Sequence, residues 1–133
     1  MKKLIITILL VFSLYAEEQD ANFMDHYRKV TELGWLGLYY CIGVYDEEEI
    51  KKELHYLSLD PTNRKVKIMD AKAAFNELKD YIESEKKFYN IHKENPELIN
   101  FKGCMGMFYY GTGYGSGYNT QVERIVKKYC KEC

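Results

Sequence analysis

The segment from Leu98 to Cys133 limits the fold more than any other, because it carries three of the four cysteines and two helical patterns around a glycine run. Val122, Ile125, Val126 and Tyr129 recur at i, i+3, i+4 and i+7, with Glu123, Arg124, Lys127 and Lys128 on the other face, which is the signature of an amphipathic helix. Asn119 or Thr120 is expected to cap its start, since either side chain accepts from the free N–H groups of a first turn. Upstream, Phe101, Met105 and Phe108, with Cys104 beside them, predict a second apolar stripe. Between the two, Gly111, Gly113, Gly115 and Gly117 in GTGYGSG cannot propagate a helix cheaply, so the chain is expected to turn there.

The first sixteen residues stand apart from the rest. Lys2 and Lys3 precede the apolar run Leu4–Phe12, and Ser13-Leu14-Tyr15-Ala16 ends in a small residue. This pattern predicts a secretory signal peptide over residues 1–16, cut after Ala16, and a single helical domain over 17–133. The apolar run is shorter than the roughly 20 residues needed to cross a bilayer, so no membrane attachment is expected after cleavage. A periplasmic location follows as an expectation.

The net charge is −1 at pH 7, and losing Lys2 and Lys3 makes the remainder two charges more negative. An acidic balance of this kind argues against nucleic acid as a partner. Four cysteines in an exported chain of this size predict two disulfides. Thirteen tyrosines suit positions where the ring packs and the hydroxyl stays wet.

Residues 22–45 predict a central helix. Phe23, Tyr27 and Val30 mark one stripe, and from Leu33 to Ile42 the apolar character spreads all round, as in a helix enclosed by others. Gly34 and Gly37 permit another helix to approach closely, or else mark a break. Gly43 is a natural C-terminal stop. Asp46 then starts a new helix, with Glu49 in the capping-box position and an acidic first turn suited to the helix dipole. Ile50, Leu54 and Leu57 follow at i, i+4 and i+7 until Asp60-Pro61-Thr62-Asn63 breaks the chain. A third long pattern runs from about Val66 to Tyr89, with Ala71, Phe75, Leu78, Ile82 and Tyr89 on one side; only Val66–Met69 hints at a strand. The expected fold is all-α, an irregular bundle of about five helices with a disulfide tie.

No catalytic constellation is present. His26, His55 and His92 are scattered, without the HxxxH or HExxH spacing that puts two metal ligands on one helix face. Cys130-Lys-Glu-Cys133 is a CxxC. It follows a helix rather than opening one, so the dipole has the wrong sign to stabilise a thiolate, and a structural disulfide is expected. GTGYGSG follows no strand and lacks a closing Lys-Ser/Thr, which makes it a poor phosphate cradle. The expectation is a binding protein with no enzymatic activity, no metal and no cofactor. The alternatives are a small periplasmic redox or metal-binding protein using Cys130 and Cys133, or an envelope adaptor.

The order of features resembles the periplasmic immunity proteins that neutralise the fourth group of type VI secretion amidase effectors. The resemblance rests on Tyr40-Cys41-Ile42 in the first long helix, on Cys104-Met-Gly-Met-Phe108-Tyr109, and on Val122-Glu-Arg-Ile125-Val126-Lys127-Lys128-Tyr129. Two departures stand out: the GTGYGSG run replaces a short turn, and the chain ends in an additional CxxC. The resemblance implies a homodimer that sterically blocks a cognate peptidoglycan amidase by pushing a loop into its Cys/His centre. That loop maps onto Tyr89–Pro96, so Tyr89, Asn90, His92, Lys93, Glu94 and Asn95 become candidate partner contacts, with Tyr114 of the glycine run as a further anchor. It also implies a Cys41–Cys104 disulfide, leaving Cys130 and Cys133 to each other or to a partner. The helical hairpin offers the competing pair Cys104–Cys130.

Overall fold

The computed structural model describes residues 23–59, 67–89, 96–110 and 117–131. Five α-helices lie among them: α1 (residues 23–42), α2 (Glu47–Ser58), α3 (Ala71–Glu85), α4 (Pro96–Tyr110) and α5 (Gly117–Tyr129). A short 3-10 helix, Lys86–Tyr89, extends α3. Two antiparallel pieces, β1 (Lys67–Ile68) and β2 (Cys130–Lys131), pair Lys67 with Lys131 and Ile68 with Cys130. The fold is all-α, with that small ladder as its one sheet among the described residues.

α1 ends where its sequence says it should. Gly43 takes a φ of 73°, its N–H donates to the Tyr40 carbonyl, and the Val44 N–H donates to the Tyr39 carbonyl. These are the paired bonds of a Schellman cap, which a residue with a Cβ adopts at a cost. Asp46 then accepts from the N–H groups of Glu48 and Glu49, while the Glu49 carboxylate accepts from the Asp46 N–H, closing a capping box. α3 is capped by Asp70 through the Ala73 N–H, so it starts at Ala71 and not near Val66. The residues before it supply β1, because Ile68, fully buried, finds its backbone partner in Cys130.

α1 is the central helix. Leu33, Leu36, Leu38 and Cys41 are buried, and Gly37 brings α1 against both α3 and α5. A Cβ at Gly37 would fall 2.7 Å from Leu78 Cδ2 and would also meet the Tyr118 hydroxyl, so Gly37 marks a close approach, and α1 runs unbroken through both glycines. Leu78, Ile82, Tyr118, Val122, Ile125 and Val126 complete the core around it, and all are fully buried.

Two apolar stripes meet the core only in part: Val30, Met105 and Phe108 pack against it half-buried, and the other members turn outward. On α1, Phe23 and Tyr27 are exposed, while Asp25 and Lys29 are buried. Lys29 tolerates burial because its ammonium donates to the Glu32 carboxylate at 3.1 Å and to the Leu59 carbonyl, the C-cap of α2, at 3.3 Å. On α4, Cys104 and Met107 are buried, and Phe101 lies about half exposed. α4 is apolar nearly all round, so periodicity could not choose its inner face. Tethering to α1 and close packing on the 3-10 helix choose it, and a Cβ at Gly103 would stand 2.8 Å from the Lys86 carbonyl oxygen. α5 begins at Gly117, earlier than expected, so neither Asn119 nor Thr120 is its cap.

Cys41 and Cys104 form a disulfide with a Cα–Cα distance of 5.7 Å, which excludes the Cys104–Cys130 alternative. Beside the bridge, Asn100 donates its amide N–H to the Cys41 carbonyl at 2.9 Å. Cys130 is also disulfide-bonded; its expected partner, Cys133, lies outside the described residues.

Candidate functional site

The exposed side of α1 carries a row of aromatic rings one helical turn apart. Phe23 is 66 %, Tyr27 59 % and Trp35 44 % exposed, with Thr31 filling the intervening position. Four residues rise about 6 Å along a helix, so neighbours in the row lie beside each other while the row winds gradually round α1, and all four residues border one groove. Trp35 continues the row inward: its ring lies 5.4 Å from Phe108 of α4, and Phe108 lies 5.5 Å from the buried Tyr118 of α5. In the other direction Trp35 meets Tyr39 at 5.6 Å, and Tyr39 meets Tyr45 at 4.7 Å. Offset and edge contacts of this kind hold the rings in fixed orientations.

This row lines a groove of about 600 Å³ between α1, α4 and α5. Its apolar surface comes from Phe23, Tyr27, Val30, Trp35 and Phe108, with the Gly34 backbone contributing as well. Its polar wall is His26 from α1 facing Asn119, Glu123 and Lys127 from α5. Burial holds the His26 imidazole below its ordinary range, the Lys127 charge lowers it further, and Glu123 opposes both. His26 is therefore the neutral imidazole at pH 7. Its Nδ1 is buried and has no hydrogen-bond partner among the described residues.

The basic residues of α5 divide between two tasks. Arg124 and Lys128 both reach Glu77 of α3, at 2.6 Å and 2.7 Å, and the Tyr129 hydroxyl donates to the same carboxylate at 3.0 Å. The Lys128 hydrogen bond leads in holding Glu77 down to about 2, with Arg124 and Tyr129 adding to it against the effect of burial. Lys127, on the groove side, makes no ion pair among the described residues.

Of the sequence-predicted partner contacts, Tyr89 ends the 3-10 helix, half-buried against α4; a Cβ at Gly106 would stand 3.1 Å from the Tyr89 Cβ. Asn90, His92, Lys93, Glu94, Asn95 and Tyr114 lie outside the described residues, as do residues 1–16 and most of the glycine run. Tyr89, the described member of the predicted set, does not line the groove. Among the groove's aromatic members, Phe23 and Tyr27 were visible in the sequence as one stripe and Phe108 as part of another, but which way those stripes faced was not. Among the described residues no three His, Cys, Asp or Glu side chains are placed to hold a metal ion, and no helix is long and apolar enough to cross a membrane. Comparison with protein-family models, with curated proteins and with solved structures finds no match for this chain.

Proposed function

We propose that this protein is a periplasmic immunity protein that binds a type VI secreted peptidoglycan amidase and sterically blocks its active centre, protecting the cell that makes both. The observation that carries the reading is the Cys41–Cys104 disulfide, because it joins two of the three segments on which the resemblance to that family rests. The helical build is compatible with it, and so is the aromatic surface of α1, since exposed rings surrounded by polar groups are the usual anchors of tight protein complexes. The same reading has the protein act as a homodimer.

The test is inhibition. The purified disulfide-bonded protein is mixed with the product of the adjacent reading frame, expected to be a Cys/His amidase, and release of peptide fragments from peptidoglycan is followed. Loss of cleavage at a one-to-one ratio is expected. Cleavage at full rate with the protein in tenfold excess would remove the proposal.

A further inference from the structure

We infer that the disulfide at Cys130 is a redox-sensitive clasp: it keeps the β1–β2 ladder closed in oxidising surroundings and releases it on reduction, while the Cys41–Cys104 bridge holds the bundle together in both states. The inference does not depend on the immunity reading.

The first observation is a contrast between two bridges in one chain. Cys41 is 3 % and Cys104 0 % exposed. Cys130, also disulfide-bonded, is only half-buried. Cys41 and Cys104 are bonded to each other, so Cys133 is the one cysteine of the chain left for Cys130. Thiol–disulfide exchange needs a thiolate to reach a sulfur, and access therefore decides which bridge yields first. A reductant in solution can reach Cys130 while the folded core shields Cys41 and Cys104.

The second is the place Cys130 occupies. It opens β2 and pairs with Ile68 of β1, which is fully buried. The next residue, Met69, donates its N–H to the Tyr129 carbonyl at 2.8 Å. Asp70 follows and caps α3 through the Ala73 N–H. Three consecutive residues thus connect the strand at Cys130 to the first turn of α3.

The third is the size of the ladder. β1 and β2 have two residues each, too few to stay paired in water by themselves. A crosslink at Cys130 limits the conformations open to the chain end once the strands part, which favours the paired state. Cutting it returns that freedom. α5 stays joined to α3 through Arg124 and Lys128 on Glu77, so the opening is confined to the ladder.

The reductant is a dithiol. Its thiolate attacks one sulfur of the bridge, and the other sulfur leaves as a thiolate and takes up a proton. The second thiol of the reductant then displaces the mixed disulfide, so two electrons pass, the bridge ends as two thiols and the reductant as its own disulfide. Cys130 follows the C-terminal end of α5, where the helix dipole does not favour a thiolate. The attacking thiolate belongs to the reductant, and the clasp needs no activated cysteine of its own.

The test uses the full oxidised protein. Dithiothreitol is raised stepwise, free thiols are trapped with a maleimide, and peptide mapping locates them. Cys130 and Cys133 should be labelled together at levels that leave Cys41 and Cys104 unlabelled. In that selectively reduced form, hydrogen exchange at the Met69 amide should quicken by about threefold or more, with the amides inside α1 unchanged. Reoxidation should restore the slow rate. The double variant Cys130→Ser/Cys133→Ser should show the fast rate without reductant and should not respond to these levels of dithiothreitol. Both bridges opening together, Cys41–Cys104 opening first, or a Met69 amide as slow after reduction as before overturns the inference. A double variant that does not fold overturns it too, because the bridge would then hold the whole domain and not its ladder.

Discussion

The Tyr118 hydroxyl donates to the Gly34 carbonyl oxygen, so the first turn of α5 is bonded directly into the middle of α1. The phenol can reach that carbonyl because Gly37 leaves room for it. The two glycines of α1 thus stand in different relations to one ring: Gly34 receives its hydrogen bond, and Gly37 makes way for its hydroxyl. Tyr118→Phe should keep the packing and lose the bond, at a cost of about 1 kcal/mol by chemical denaturation.

Adding one methyl group tests the close approach. Gly37→Ala forces Leu78 and Tyr118 aside and should destabilise by about 1–3 kcal/mol. Gly34→Ala places its methyl 3.9 Å from Tyr118 and Val122, an ordinary contact, and should be neutral or stabilising by up to about 1 kcal/mol. Equal denaturation midpoints for the two variants would show that α1 does not sit this close to α3 and α5.

The Cys41–Cys104 bridge closes a loop with a sequence separation of 63. In the chain-entropy model a loop of that length contributes about 4 kcal/mol, with native strain reducing the measured value. Cys41→Ala should therefore lower the melting temperature markedly in oxidising buffer, and reduction should lower that of wild type in the same way. An unchanged melting temperature for Cys41→Ala would exclude a structural role for the bridge.

Acid should unfasten α3 from α5. Glu77 is held at about 2 in the folded protein against an ordinary value of 4.5, chiefly by Lys128. Its folded value is the lower one, so its contribution is complete above pH 4.5 and disappears as the pH falls toward 2. Glu83, lowered by Lys86 and Tyr40, acts in the same direction. Glu77→Gln should cost about 1 kcal/mol at neutral pH and flatten the acid limb of a stability–pH curve. An acid limb as steep as that of wild type would count against the network.

The alkaline limb has the opposite sign. Burial raises Tyr118, and burial together with the Glu83 hydrogen bond raises Tyr40 to about 12, both from an ordinary value of 10. Groups raised on folding contribute fully below the ordinary value and lose that contribution as the pH climbs through the folded one. Stability should therefore fall above pH 10, and the fall should be shallower in Tyr118→Phe, as followed by tyrosinate absorbance alongside circular dichroism.

Where local chemistry decides the backbone, the structure could be anticipated from residues alone. Asp46 with Glu49 and the Gly43 stop are decided by hydrogen bonds within a few residues, and both appear as expected. The inner faces of α3 and α5 were equally legible, because charge covers their outer sides. α1 and α4 were not. In α1, Asp25 and Lys29 look like solvent residues, yet Lys29 is buried by partners in Glu32 and in Leu59, the latter thirty positions away. Phe23 and Tyr27 look like core and face outward. In α4 too many positions are apolar for any period to select one side, and the covalent tie to Cys41 settles the matter. The groove escaped notice for the same reason: it is made of residues that a hydrophobic pattern assigns to the interior.

The Cys41–Cys104 bridge also encloses α2 and α3 within a covalent ring. A protease that severs the backbone anywhere between these two cysteines releases no fragment while the bridge stands, and the cut ends stay tethered near their original places. Such a ring lets a nicked molecule remain whole until a reductant reaches it.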